Sequence, residues 1–130
     1  MKDKFSVLNK TGGKVPGLPL LAMKNDILGK NYSLSLAFVK KNKMKEINKI
    51  YRKKNKPTNI LSFPLTKTSG EIIICPSVVK SETKKFNKTF RQLSGFLVIH
   101  GMLHLKGMTH GAKMEKAENK CLSRTKFLNK

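Results

Sequence analysis

The clearest pattern of apolar and polar positions along the chain lies between Tyr32 and Val39, where the two kinds of side chain alternate. Leu34, Leu36 and Phe38 occupy every second position, which is the period of a half-buried strand. Short apolar runs predict three further strands. They cover Phe5–Leu8, Asn59–Phe63 and Glu71–Cys75. The last contains three consecutive isoleucines, which is typical of a strand covered on both faces, with helices on at least one side.

Apolar residues at helical spacing predict about five helices around these strands. Asn42 and Ser77 are candidate caps for the second and third helices, and Pro57 ends the second. The whole pattern predicts an α+β fold: a single compact domain over residues 1–130, with a small mixed β-sheet of about four strands packed with about five helices. The predicted helices are Leu18–Leu28, a segment with Met44, Ile47 and Tyr51 on one face, a short segment through Lys80, a segment from Phe90 to His104, and a terminal segment through Met114, Ala117, Cys121 and Leu128.

The charge of the chain indicates a polyanionic partner. Lys and Arg number 28 against 7 Asp and Glu, which gives a formal charge of +21 and a pI near 10.3. A positive field of this size attracts nucleic acid. Because all basic residues except three arginines are lysine, a merely solvated basic surface stays an alternative. A membrane partner is not expected, since the apolar runs are far too short to cross a bilayer and no long basic amphipathic helix is present.

Two cysteines, Cys75 and Cys121, lie on predicted apolar faces. Their spacing is not that of a C-x-x-C zinc or redox pair. No signal peptide is recognised, because the apolar stretch from Leu18 to Met23 is short and follows a Gly/Pro-rich segment. The cysteines are therefore interpreted as buried small side chains, although a disulfide stays possible, and a reducing, cytoplasmic location is expected.

The three histidines of the chain all fall within eleven residues, at His100, His104 and His110. His100 and His104 are four apart, so on a helix their imidazoles lie on one face, one turn apart. Gly107 is the residue type that most easily ends a helix in the left-handed conformation, which allows the chain to return His110 to the same point. Three imidazoles with one open position are typical of a catalytic zinc site, so the sequence predicts one Zn²⁺ per chain on a zincin-like metal-binding helix.

Zinc peptidases use the same histidine spacing in the motif H-E-x-x-H-x-x-G-x-x-H, where the glutamate is the general base. Gly101 occupies that position here. A peptidase of this geometry therefore lacks its proton acceptor, unless a carboxylate from another segment, such as Glu71 or Glu115, reaches the metal.

The segment HGMLHLKGMTH, residues 100–110, resembles the signature H-G-x-L-H-L-x-G-Y-D-H of the YbeY family of rRNA maturation endoribonucleases. Two further blocks are similar to that family: INKIYR, residues 47–52, and PTNILSFP, residues 57–64. The strand GEIIIC, residues 70–75, and the glutamates Glu115 and Glu118 after Met114 also resemble it, so the likeness covers roughly residues 32 to 128.

The resemblance implies a zinc-dependent, single-strand-specific endoribonuclease that acts in rRNA maturation and ribosome quality control, with RNA and the ribosome or its small subunit as partners. It assigns zinc ligation to His100, His104 and His110, and a catalytic or phosphate-binding role to Arg52. The chain departs from the family pattern at Met108-Thr109, where Tyr-Asp is usual, and the stretch from His110 to Met114 is shorter than usual. Thr109 cannot carry a negative charge or act as a base near neutral pH.

In the mechanism that this resemblance implies, zinc lowers the pKa of bound water and polarises a phosphoryl oxygen, while Arg52 stabilises charge on the phosphate. Hydrolysis and attack by the RNA 2′-hydroxyl both stay open. Two other functions stay open as well: a catalytically weak RNA- or ribosome-binding factor that keeps its zinc for structure, and, less favoured, a zinc peptidase. Lysines that flank these blocks are candidate RNA-backbone contacts. They are Lys53, Lys54, Lys56, Lys84, Lys85 and Lys88.

Overall fold

The computed structural model describes residues 4–108 and 111–124. Over this part of the chain it has four strands and five helices, as the sequence predicts, in one small α+β domain. In chain order these are β1 (Phe5–Asn9), α1 (Leu20–Ile27), β2 (Ser33–Phe38), α2 (Lys41–Arg52), β3 (Ile60–Thr66), β4 (Ser69–Ile74), α3 (Pro76–Ser81), α4 (Phe90–Leu105) and α5 (Ala112–Arg124).

The strands form one mixed sheet in the order β1-β2-β4-β3. β1, β2 and β4 are parallel, and β3 pairs antiparallel with β4 at the edge, with Ile60 opposite Ile74. Pro64 has no N–H to donate, and a proline within a strand is tolerated at such an edge. The mixed sheet of the prediction is confirmed.

Helices cover the sheet on both faces, and the three isoleucines of β4 show this directly. Ile72 and Ile74 are buried in the main core, together with residues of α1, α4 and α5. Ile73 faces the other way and packs against a second, smaller core that includes Met44 of α2. The apolar run of β4 is uninterrupted because this strand packs on both faces, as predicted.

Several predicted boundaries are wrong. Asn42 lies inside α2, whose cap is Lys40, and Ser77 lies inside α3, whose cap is Cys75; neither cap makes a side-chain hydrogen bond. The predicted loop between the third and fourth strands is also too long, because β3 runs to Thr66 and β4 begins at Ser69, so the two form a hairpin. Strand pairing with β4 holds Pro64 extended, although proline alone favours a turn.

Helix α4 has defined signals at both ends. Thr89 forms a capping box with Gln92: the threonine hydroxyl accepts from the Gln92 N–H, and the Gln92 side chain accepts from the Thr89 N–H. At the other end Gly107 has φ +102°, a conformation that glycine adopts without strain, and its N–H donates to the His104 carbonyl. Both ends of the helix that carries His100 and His104 are thereby fixed by local hydrogen bonds.

Both cysteines are buried, as predicted. Among the described residues, no helix is long and apolar enough to cross a membrane.

Candidate functional site

Two of the three histidines meet on α4. The Nε2 atoms of His100 and His104 lie 3.1 Å apart, and the two rings stand nearly perpendicular, with centroids 4.6 Å apart. Both side chains are partly buried, while the helix around them is largely buried in the main core. The four-residue spacing therefore brings two imidazole nitrogens to one point on a rigid helix, as predicted.

The other nitrogen of each ring is held by an oxygen acceptor. His100 Nδ1 lies 3.0 Å from Oε2 of Glu118, a buried carboxylate on α5, and His104 Nδ1 lies 3.1 Å from the carbonyl oxygen of Met108. A carbonyl can only accept a hydrogen bond, so His104 Nδ1 carries the proton, and the carboxylate favours the same tautomer in His100. In neutral rings the lone pairs of both Nε2 atoms then face each other.

This donor set fits zinc. Two facing lone pairs repel unless a cation lies between them. Tetrahedral zinc with Zn–N bonds of about 2.05 Å places its nitrogen ligands roughly 3.3 Å apart, close to the separation seen here. Histidine ligands to zinc also typically donate their second N–H to a carboxylate or a backbone carbonyl, and the two Nδ1 contacts match both patterns.

The third predicted ligand, His110, lies outside the described residues. So does Thr109, at which the chain departs from the family pattern. Ligation by His110 therefore stays a prediction from the sequence. Gly107 and Met108, which lead toward it, line the same cleft as the two described histidines.

The histidines open onto a cleft of about 670 Å³ that lies between α4 and the edge strand β3. Arg52, the last residue of α2, also lines this cleft, so the predicted catalytic arginine and two predicted zinc ligands meet in one place. The described lining contains no carboxylate, and its other members are Thr58, Asn59, Ile60, Leu61, Ser62, Pro64, Leu97, Gly101, Gly107 and Met108. Such a lining suits an anionic substrate.

Gly101 has a packing role that the sequence analysis missed. A Cβ atom at this position would lie 2.9 Å from Ser62 Oγ and 3.2 Å from Ile60 Cδ1, so a larger residue would require these side-chain ends to shift. The glycine thus lets α4 pack closely against β3, and the glutamate base of a peptidase is missing at this position. Glu71 and Glu115, the two carboxylates considered as substitutes, are absent from the described lining of the cleft.

The six predicted RNA-contacting lysines are all exposed, but none lines the described part of the histidine cleft. Lys53, Lys54 and Lys56 follow Arg52 in the turn between α2 and β3. Lys84 and Lys88 line a separate small groove before α4, and Lys85 lies over the Phe86 ring. The Nζ of Lys88 lies 5.7 Å from the Phe96 ring centroid, and that centroid lies 6.1 Å from the centroid of the His100 ring.

Sequence reasoning did not assign roles to Glu118 or to the carbonyl of Met108. A signal for Glu118 was present, because it lies on the same face of α5 as the buried residues Met114 and Cys121. A carboxylate on a buried helix face needs a partner. No side-chain pattern could have indicated the carbonyl of Met108.

Comparison with known proteins agrees with this arrangement. The family model described as Endoribonuclease YbeY matches residues 18–127. The chain is 44% identical over 106 residues to an Endoribonuclease YbeY of Thermodesulfovibrio yellowstonii, covering 72% of this chain and 67% of that one. It is 34% identical over 119 residues to an Endoribonuclease YbeY of Staphylococcus carnosus, covering 82% and 76%. The solution structure of TM1509 from Thermotoga maritima matches with a TM-score of 0.65 at 28% identity, covering 91% of this chain and 86% of that one.

Proposed function

This chain belongs to the endoribonuclease YbeY family, and from that premise we propose that it is a zinc-dependent endoribonuclease specific for single-stranded RNA. We further propose that it acts in rRNA maturation in the cytoplasm, with the ribosome or its small subunit as partner. The observation that carries the proposal is the meeting of His100, His104 and Arg52 in one cleft.

The net charge of the chain and the charge of the cleft lining both support an RNA substrate. The whole chain carries a formal charge of +21. Within the cleft, Arg52 lies among residues that include no described carboxylate, so a phosphodiester entering the cleft meets no described acidic side chain. The planar guanidinium can donate two parallel hydrogen bonds to the phosphate oxygens, which both positions the phosphate and stabilises charge that develops on it.

His100, His104 and His110 would hold the zinc ion. When bound, zinc supplies Lewis-acid chemistry to the phosphodiester and to water. The chain itself fixes the ligands: Glu118 holds the ring of His100 through Nδ1, and the Met108 carbonyl holds the ring of His104. These contacts keep both Nε2 atoms aimed at one point and place the proton of each neutral ring on Nδ1, which leaves the Nε2 lone pair available to a metal.

Peptide hydrolysis is disfavoured because Gly101 occupies the position of the glutamate base, and neither Glu71 nor Glu115 is in the described lining of the cleft. A factor that binds RNA without cleaving it differs from an enzyme only in its chemistry, so the test must measure cleavage and binding separately.

The test compares cleavage of matched single-stranded and double-stranded RNA by the purified protein, before and after treatment with a chelator and after zinc is restored. We expect cleavage of the single strand alone, its loss with the chelator and its return with zinc. Lys43→Ala is the control for any substitution of Arg52 in this assay, because Lys43 is an exposed cation on α2, the helix that ends in Arg52. RNA binding that persists without cleavage in the zinc-loaded protein would instead identify a binding factor.

A further inference from the structure

An exposed aromatic pair lies beside the histidine cleft. The Tyr51 ring is 66% exposed although it is large and apolar, and its centroid lies 5.1 Å from that of Phe63 at an interplanar angle of 58°. Phe63 is itself partly buried against the second core. One ring is thus anchored in the fold and supports a second ring that projects into solvent.

The pair borders the cleft on two elements. Tyr51 directly precedes Arg52 on α2, and Phe63 lies between Ser62 and Pro64 on β3. Arg52, Ser62 and Pro64 all line the cleft. Because side chains alternate along a strand, Phe63 points to the opposite side of the edge strand from these two neighbours. The rings therefore lie just across the edge strand from the position at which Arg52 would hold a phosphate.

We propose that Tyr51, supported by Phe63, is a stacking surface for a nucleobase of the RNA strand whose phosphate binds Arg52. This inference rests on the proposed function. Single-stranded RNA can splay its bases away from the backbone, and an exposed aromatic ring binds the face of any base. Arg52 would bind the phosphate, and the neighbouring Tyr51 ring would bind a base of the same strand. The site takes single strands, because a base within a duplex is already stacked and paired.

The chain offers a matched control for this contact. Ile50 precedes Tyr51 on the same helix and is 63% exposed, yet it has no aromatic ring. Removal of either side chain takes away a similar exposed apolar group. Loss of stacking is expected from Tyr51→Ala alone, and Tyr51→Phe should keep it.

Intrinsic fluorescence allows direct observation of the contact. The chain has no tryptophan and two tyrosines. Tyr32 is buried, its hydroxyl makes no hydrogen bond to any described residue, and burial raises its pKa. Tyr32→Phe should therefore preserve packing and leave Tyr51 as the single emitter. A base that stacks on Tyr51 should quench this emission.

The experiment titrates the zinc-loaded Tyr32→Phe protein with a single-stranded 2′-O-methyl oligonucleotide and, as a base-free polyanion, with inorganic polyphosphate. We expect quenching by the oligonucleotide alone. Because Tyr51→Ala removes the last tyrosine, the affinities of all variants are measured from the fluorescence anisotropy of a labelled oligonucleotide, and Tyr51→Ala should weaken this binding on the order of tenfold with an unchanged salt dependence. Binding of polyphosphate should not change.

Equal quenching by polyphosphate, or equal oligonucleotide affinities for Tyr51→Ala and Ile50→Ala, would overturn the stacking proposal. Cleavage of unmodified RNA is measured separately on the same proteins. A protein that cleaves RNA with no role for Tyr51 refutes the stacking surface alone, whereas quenching without cleavage in the zinc-loaded protein refutes the proposed enzyme and leaves the stacking surface intact.

Discussion

Two clefts of nearly equal size, about 670 Å³ and about 660 Å³, lie at opposite ends of the same two helices. The histidine cleft lies at the end of α2, with Arg52, and along the later turns of α4. The other, here called the lysine cleft, lies where α2 and α4 begin, at Lys41 and Phe90. Its cationic lining consists of Lys14, Lys40, Lys41 and Lys80, and it has no described carboxylate.

Because the two volumes are nearly equal, the lysine cleft is the stronger candidate for an RNA site by charge alone. What distinguishes the histidine cleft is the fixed direction of its imidazole nitrogens. Lysine is a hydrated point charge on a flexible stem, whereas each imidazole in the histidine cleft is held through Nδ1 and aims Nε2 at a common point. Net charge attracts a polyanion, but chemistry needs oriented groups. We therefore expect substitutions in the histidine cleft to change zinc binding or cleavage, and substitutions in the lysine cleft to change only the salt dependence of RNA binding.

The largest effect is expected from His104→Ala. Loss of one of three protein ligands should remove tightly bound zinc and reduce RNA cleavage to background, because the metal site depends on all of its ligands. Metal analysis and a cleavage assay on the same preparation measure both. Lys41→Ala in the lysine cleft is the control and should keep a full equivalent of zinc. A full equivalent of zinc at unchanged affinity in His104→Ala would place the metal elsewhere.

Glu118→Gln should weaken zinc binding roughly 10- to 100-fold, as is typical when the carboxylate behind a histidine ligand is removed. The amide keeps the size of the side chain but loses the negative charge that holds His100. Competition against a chelator of known affinity measures the change. Glu115→Gln, an exposed glutamate on the same helix, should leave the affinity unchanged. Equal affinities for the two variants would show that Glu118 only packs against the histidine.

Arg52→Lys should slow RNA cleavage on the order of tenfold or more and keep the zinc content and most of the RNA affinity. Lysine keeps the charge that attracts RNA but cannot form the two parallel hydrogen bonds of a guanidinium. Single-turnover cleavage at saturating enzyme isolates the chemical step. An unchanged rate there would remove Arg52 from the mechanism.

The smallest effect is expected from the double substitution Lys40→Ala/Lys41→Ala. Each lysine that contacts a phosphate releases counterions, so the plot of log affinity against log salt should become shallower by about 1 to 2, while the single-turnover rate is unchanged. Fluorescence titrations of single-stranded RNA at several salt concentrations measure this slope. A large fall in the rate would mean that the lysine cleft takes part in catalysis.

Local patterns predict the four strands and the five helices, and one of these helices is the buried one that carries His100 and His104. Alternation in β2 and the apolar run of β4 depend on burial, which the sequence expresses directly. Helix caps were the weakest predictions. Asn42 and Ser77 have the right side chains, but both caps lie two residues earlier, just after the strand pairing of β2 and β4 ends. Tertiary contacts set these boundaries.

The site was predicted unevenly, and for a physical reason. The histidines could be found because their ligand spacing lies within one helix. Arg52 could be placed beside the histidines only from a resemblance, because nothing local indicates that the end of α2 reaches α4. The contacts of Glu118 with His100, and of Tyr51 with Phe63, join residues 18 and 12 positions apart on separate elements. Such contacts depend on how elements pack, and periodicity along the sequence does not encode that packing.

Reconstitution of the metal-free protein with zinc tests the central claim most directly. Stepwise addition of zinc, with single-turnover cleavage of single-stranded RNA measured at each step, should give a rate that rises linearly and stops rising at one equivalent per chain. The same titration of His104→Ala should give no rise. Full cleavage before any zinc is added, or a rate that does not depend on the zinc content, would contradict the assignment of this cleft as the zinc-dependent active site.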